Sequence, residues 1–163
     1  MKILLKRIFR LFPIMVTLLW VSCSSDDSAD KDLEKPTISV GYPGGFPASC
    51  SELVKGETYV FKAMVADNMA LASFSLDIHH NFDHHTHDDQ GVPCDLEPRK
   101  TAVRPFVLME NRSIENGPTS YEINFSLTIP SDIDPGDYHC SFSVTDQTGW
   151  QSRTSVDIKI KNP

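Results

Sequence analysis

The sequence predicts an all-β fold, an antiparallel β-sandwich of about seven strands. Three observations lead there. Several runs alternate apolar and polar residues with period two, turn-forming residues separate those runs, and no comparable stretch has helical spacing. Residues 36–163 carry the pattern, enough for one domain that buries roughly two thirds of its surface.

The runs follow one another along the chain. Tyr59, Phe61, Ala63 and Val65 alternate with Val60, Lys62, Met64 and Ala66. Phe74, Leu76 and Ile78 alternate with Ser73, Ser75 and Asp77. Tyr121, Ile123, Phe125, Leu127 and Ile129 alternate with polar residues, as do Val156, Ile158 and Ile160. An extended chain sends successive side chains to opposite faces, so each run has one face for a core. Turns are expected at Asp67-Asn68, Asn116-Gly117-Pro118, Asp134-Pro135-Gly136 and Thr148-Gly149. The stretch Asp134-Pro135-Gly136-Asp137-Tyr138-His139-Cys140 resembles strand F of an immunoglobulin-like domain with its tyrosine corner. Asp146-Gln147-Thr148-Gly149-Trp150 resembles the F–G turn that follows. The expected sandwich is therefore immunoglobulin-like. Phe61 and Ala63 occupy the sites where strand B would carry a cysteine, so Cys140 is expected as a free core thiol beside Tyr138 and Phe142.

Residues 1–22 read as a signal peptide. Lys2, Lys6, Arg7 and Arg10 precede an apolar stretch from Leu11 to Val21 that is short for a membrane span. Trp20-Val21-Ser22-Cys23 resembles a bacterial lipobox, with Cys23 as the lipid-modified first residue and Trp20 in place of the usual Leu. Residues 23–35 are polar and acidic and read as a flexible tether.

Four of the 15 basic residues and none of the 22 acidic ones fall in residues 1–22, so the remainder carries about −11. That excludes nucleic acid as the expected partner, because phosphates need a basic face, and favours cations. There is no G-x-S-x-G elbow and no H-E-x-x-H helix, so a non-catalytic protein is expected.

Chemistry concentrates in one segment. Five of the six histidines, His79, His80, His84, His85 and His87, fall within nine residues, with Asp83 among them and Asp88 and Asp89 just beyond. Neutral imidazole is the commonest metal ligand, and imidazole with carboxylate suits zinc, copper or nickel, zinc foremost. Strand phase assigns the rings to different sides. If Ile78 faces the core, His80 continues that face at the strand's mouth and His79 points outward with Asp77. His85 and His87, two apart, leave one side of an extended chain, while His84 projects oppositely, toward Asp83 or His79. The expected site is His84, His85 and His87 with Asp83, joined by His79, with His80 least secure. It requires three ring nitrogens within about 4 Å of one another, as ~2.0–2.1 Å Zn–N bonds demand. Phe82 is expected to plug the loop onto the sandwich, and His139 to be an outward structural histidine. Cys50 and Cys94 are expected to pair in an exported protein and so stiffen the loop; the alternative makes Cys94 a thiolate ligand.

With the lipobox ahead of them, residues 36–163 resemble an uncharacterised domain family of Bacteroidetes lipoproteins. The matching features are Ala66-Asp67-Asn68, Ile78-His79, Asn81-Phe82-Asp83-His84-His85-Thr86-His87, Cys94-Asp95-Leu96-Glu97-Pro98, Gly136-Asp137-Tyr138-His139 and Gly149-Trp150. His80 departs from the family pattern, which has Asn there. The resemblance implies an immunoglobulin-like sandwich on an outer-membrane lipoprotein, exposed at the cell surface, and supplies no activity. The functional expectation is metal capture, with delivery to an outer-membrane transporter. The competing expectation is an interaction module whose loop contacts a protein or glycan.

Overall fold

The computed structural model describes residues 31–87 and 94–163. The signal peptide, Cys23, Asp88 and Asp89 lie outside the described residues, as does the tether before residue 31. Among the described residues eight strands form two sheets and no helix occurs. The strands are β1 (Thr37–Ser39), β2 (Ser51–Val54), β3 (Thr58–Ala66), β4 (Leu71–His80), β5 (Leu108–Ser113), β6 (Ser120–Thr128), β7 (Gly136–Asp146) and β8 (Gln151–Lys161). One sheet has the order β1-β3-β6, the other β2-β8-β7-β4-β5. This is an immunoglobulin-like sandwich, with β3, β4, β6, β7 and β8 in the places of strands B, C, E, F and G.

The period-two faces meet as expected. Phe61, Ala63 and Val65 of β3 and Ile123 and Phe125 of β6 pack in one buried cluster with Leu76 and Ile78 of β4, Tyr138, Cys140 and Phe142 of β7 and Ile158 of β8. Cys140 is free and buried, and burial pushes its thiol far up. The eighth strand arises because the first strand divides. Gly41, Pro43, Gly44, Gly45 and Pro47 interrupt it, so β1 joins β3 while β2 crosses to the other sheet and pairs with β8 in parallel.

The tyrosine corner locks the entry to β7. The Tyr138 hydroxyl donates to the Asp134 carbonyl at 2.6 Å and accepts the Phe106 N–H at 3.2 Å. Tyr138 itself is fully buried. Tyr138→Phe leaves one buried donor and one acceptor without partners, so it should cost about 1–3 kcal/mol. The measurement is the shift in denaturant midpoint; an unchanged midpoint would show that the corner contributes nothing to stability.

Candidate metal centre

The site is assembled by cross-strand register. On the outward face of β4, Asp77 and His79 stand two residues apart. In the neighbouring strand His139 lies opposite His79, and Asp157 of β8 lies opposite His139. One row across the sheet therefore reads His79, His139, Asp157. The loop after β4 then folds back over this row. Its turn is made at His84, which has a positive φ of 60° and whose N–H donates to the Asn81 carbonyl at 3.2 Å. Phe82 pins the loop: it is buried, meets Tyr138 edge-to-face with centroids 5.3 Å apart, and takes the Lys100 ammonium over its ring at 4.4 Å. Gly136 makes room for this plug, since a Cβ there would lie 3.0 Å from the Phe82 ring and 2.8 Å from Lys100 Nζ.

Beyond the turn, His85 and His87 come down beside His79. One ring nitrogen from each of the three lies within 4.8 Å of the others, and His79 Nε2 and His87 Nε2 are 3.1 Å apart. A tetrahedral zinc with ~2.0–2.1 Å bonds needs nitrogens about 3.4 Å apart. The His79–His87 spacing is close to that value, and the other two lie within 4.8 Å.

Two carboxylates orient the rings. His79 Nδ1 lies 2.5 Å from Asp77 Oδ1, and His85 Nδ1 lies 2.6 Å from Asp83 Oδ1. A carboxylate can only accept, so each Nδ1 carries a proton, and in the neutral ring, the form that binds metal, Nε2 presents its lone pair. This is the carboxylate–histidine arrangement that fixes the tautomer of a metal ligand. The His85 bond also holds the Asp83 carboxyl below the usual carboxylate range.

The remaining histidines do other work. His84 donates Nε2–H to the Glu97 carbonyl at 2.8 Å and does not join the three, contrary to the expectation that placed it among the ligands. The left-handed backbone at His84 turns its ring toward the 94–100 segment. His80 stacks on Phe82 with centroids 4.8 Å apart and accepts the Phe82 N–H at 3.4 Å, so it too stands apart. Asp83 supports a ring and is not one of the converging groups. Cys94 is bonded to Cys50 across 44 residues of sequence, with Cα atoms 5.5 Å apart, and so offers no thiolate.

His139 points outward, as strand phase requires, yet it is fully buried because the loop covers it. Its ring centroid lies 4.7 Å from that of His87 and 4.9 Å from that of His85. Nδ1 faces Asp157 Oδ1 at 2.7 Å and Nε2 faces the His85 carbonyl at 3.2 Å. Nε2–H donates to the loop, so the ring supports it from below, while the contact of Nδ1 with Asp157 is an ion-pair distance without hydrogen-bond geometry. Burial lowers its pKa, against the upward pull of the His85 carbonyl and Asp157. The His87 pKa is lowered as well, first by burial and then by repulsion from His139 and His79. Asp77 and His139 lie against the three histidines and are not among the residues the sequence points to as ligands. Their signals were the two-residue spacing from His79 and the pairing of β4 with β7.

Beside the histidines the same face opens into a cleft of about 350 Å³, lined by residues including Ser75, Asp77, Met109, Asn111 and Arg153. The arrangement can therefore hold one divalent metal by three imidazoles, with the fourth tetrahedral position left to an exchangeable ligand.

Comparison with curated proteins finds no match. Among solved structures the chain is similar to the GspB Siglec domain at 18% identity and TM-score 0.43, over 81% of this chain and 60% of that one. It is also similar to the sporulation control protein Spo0M from Bacillus subtilis at 14% identity and TM-score 0.38, over 78% of this chain and 49% of that one. The chain spans less than two thirds of either structure. A family match covers nearly the whole chain, residues 21–161, and by it the protein belongs to the family described as "Domain of unknown function (DUF4625)".

Proposed function

We propose that this protein is a non-catalytic envelope lipoprotein that captures a divalent transition metal, zinc foremost, through His79, His85 and His87. The observation that carries the reading is the convergence of three imidazole nitrogens, two of them on rings oriented by Asp77 and Asp83. Three protein ligands leave one position open, the condition for passing the ion to an acceptor such as an outer-membrane transporter. Lipid attachment at Cys23 and exposure at the cell surface complete the proposal and rest on the sequence. A second reading, an interaction module, is favoured by the cleft beside the histidines, which mixes polar side chains with the exposed Met109 and so suits a glycan or peptide.

Calorimetric titration with Zn²⁺, and with Cu²⁺ and Ni²⁺ for comparison, tests the choice. The metal reading expects one tight site that is absent from a variant with His79, His85 and His87 all changed to Ala. Equal binding by both proteins would leave the interaction module. The orienting carboxylates give a finer expectation. Asp77→Asn replaces an acceptor-only group by one that also donates, weakening control of the His79 tautomer. It should lower zinc affinity about 10–100-fold without unfolding the protein. An affinity unchanged from wild type would mean that Asp77 does not orient a ligand.

A further inference from the structure

At the opposite end of β4 lies a second cluster with a different chemistry. Asp146 ends β7 and pairs with Leu71, the first residue of β4, so it sits roughly 25 Å along the strand from His79. Asp67 follows β3 in the turn to β4, and Asp32 comes from the segment ahead of β1. One carboxylate oxygen from each of the three lies within 4.8 Å of the others.

Each carboxylate is held by donors on one side. Asp67 Oδ2 accepts the N–H groups of Met69 and Ala70 at 2.8 and 3.0 Å. Asp146 Oδ1 accepts the N–H groups of Thr148 and Trp150 at 2.8 and 2.9 Å and the Thr148 hydroxyl at 2.9 Å. Asp32 Oδ1 accepts the Glu34 N–H and the Asn68 amide, both at 3.1 Å. Asp32 Oδ2 also accepts the Thr148 hydroxyl, at 3.3 Å, whereas one oxygen of each of the other two is left over. Asp67 Oδ1 and Asp146 Oδ2 are both buried from solvent and meet no hydrogen-bond donor, and Asp146 as a residue is only 2% exposed. Among the described residues no lysine or arginine forms an ion pair with any of the three.

Three carboxylates this close repel one another, and the buried, unpartnered oxygens of Asp67 and Asp146 have lost their hydration. A bound cation relieves both costs. The donor set contains oxygen only, which selects a hard cation over the transition metals suited to the histidines. Calcium takes carboxylate and carbonyl oxygens at ~2.3–2.6 Å in flexible geometry, whereas magnesium demands a near-ideal octahedron, dehydrates reluctantly and is less suited to three protein carboxylates. We propose that Asp32, Asp67 and Asp146 form a calcium site, independent of the histidine centre, that clips the segment entering the domain onto the β3–β4 and β7–β8 turns. The Trp150 indole already donates to the Asp32 carbonyl at 3.1 Å, so the ion tightens an existing contact.

The test is calcium titration of the chelator-treated full-length protein, followed by calorimetry and by thermal melting. One calcium per chain should bind and raise the melting temperature, with magnesium at least tenfold weaker. Asp67→Asn and Asp32→Asn should each weaken calcium binding at least tenfold. Asp67→Asn should also make the calcium-free protein more stable, because it removes one of the three repelling charges. Asp32 lies outside the strands, so its variant keeps the test valid should Asp67→Asn fail to fold. The triple histidine-to-alanine variant should bind calcium as wild type does. A melting temperature insensitive to calcium, or calcium binding by both aspartate variants equal to that of the wild type, overturns the proposal.

Discussion

Replacing His79 or His87 with Ala should lower zinc affinity by about 100-fold or more, the upper end of what loss of an outer partner alone costs. His80→Ala and His84→Ala should leave it within a few-fold of wild type. The contrast follows from where the rings are. His79 and His87 bring Nε2 atoms to 3.1 Å, which without a metal sets two ring nitrogens face to face. His84 is bonded to a carbonyl 13 residues on, and His80 lies against Phe82. Histidine-rich sequence alone would rank the five alike, so equal losses at all five would mean that binding reflects local composition and not the built site. The pH dependence has a definite sign. Zinc needs neutral imidazole, and burial holds the His87 pKa below its ordinary value, with His139 and His79 adding to the effect. His87 therefore stays neutral as pH falls past ~6.5, and its share of the binding is lost only below that. For the metal-free protein, the unfolded chain takes up this proton first as pH falls. Stability from His87 and His139 is thus present above ~6.5 and declines below it. Titrations at pH 7.5, 6.5 and 5.5 read both effects.

The residues that sequence reasoning placed correctly are those governed by local geometry. Alternation along β4 fixed that His79 shares a face with Asp77, and the two-residue spacing of His85 and His87 brought both to one cluster. The misplaced residue, His84, depends on a backbone angle. A φ of 60° is not written in the sequence at a histidine, and with it the ring meets the Glu97 carbonyl in place of Asp83 or His79. His139 depended on a partner strand 60 residues away in sequence, and the register His79↔His139 is set by how β7 packs in the core. The acidic cluster was harder still. Asp32 read as part of a flexible tether, and nothing in its neighbourhood connects it with Asp67 or Asp146, which only the meeting of three separate segments brings near it.

Cutting the Cys50–Cys94 bridge should both destabilise the fold and weaken metal binding, and the single variant Cys50→Ser separates the two uses of Cys94. Chain entropy gives about 4 kcal/mol for closing a loop of 44 residues, so a loss of about 2–4 kcal/mol is expected on denaturation. The bridge also ties the far end of the histidine loop to the start of β2. There the Cys50 N–H donates to the carbonyl of Asp157, whose side chain faces His139 beneath the site. Loop and floor are thereby referred to one point. Releasing the loop makes metal binding bear the entropy of ordering it, and zinc affinity should fall several-fold. If Cys94 instead served as a thiolate ligand, Cys50→Ser would free it and zinc would bind more tightly. The two outcomes have opposite signs in one titration. A variant carrying both Cys50→Ser and Cys94→Ser, with no free thiol at either position, should match the weaker affinity of Cys50→Ser.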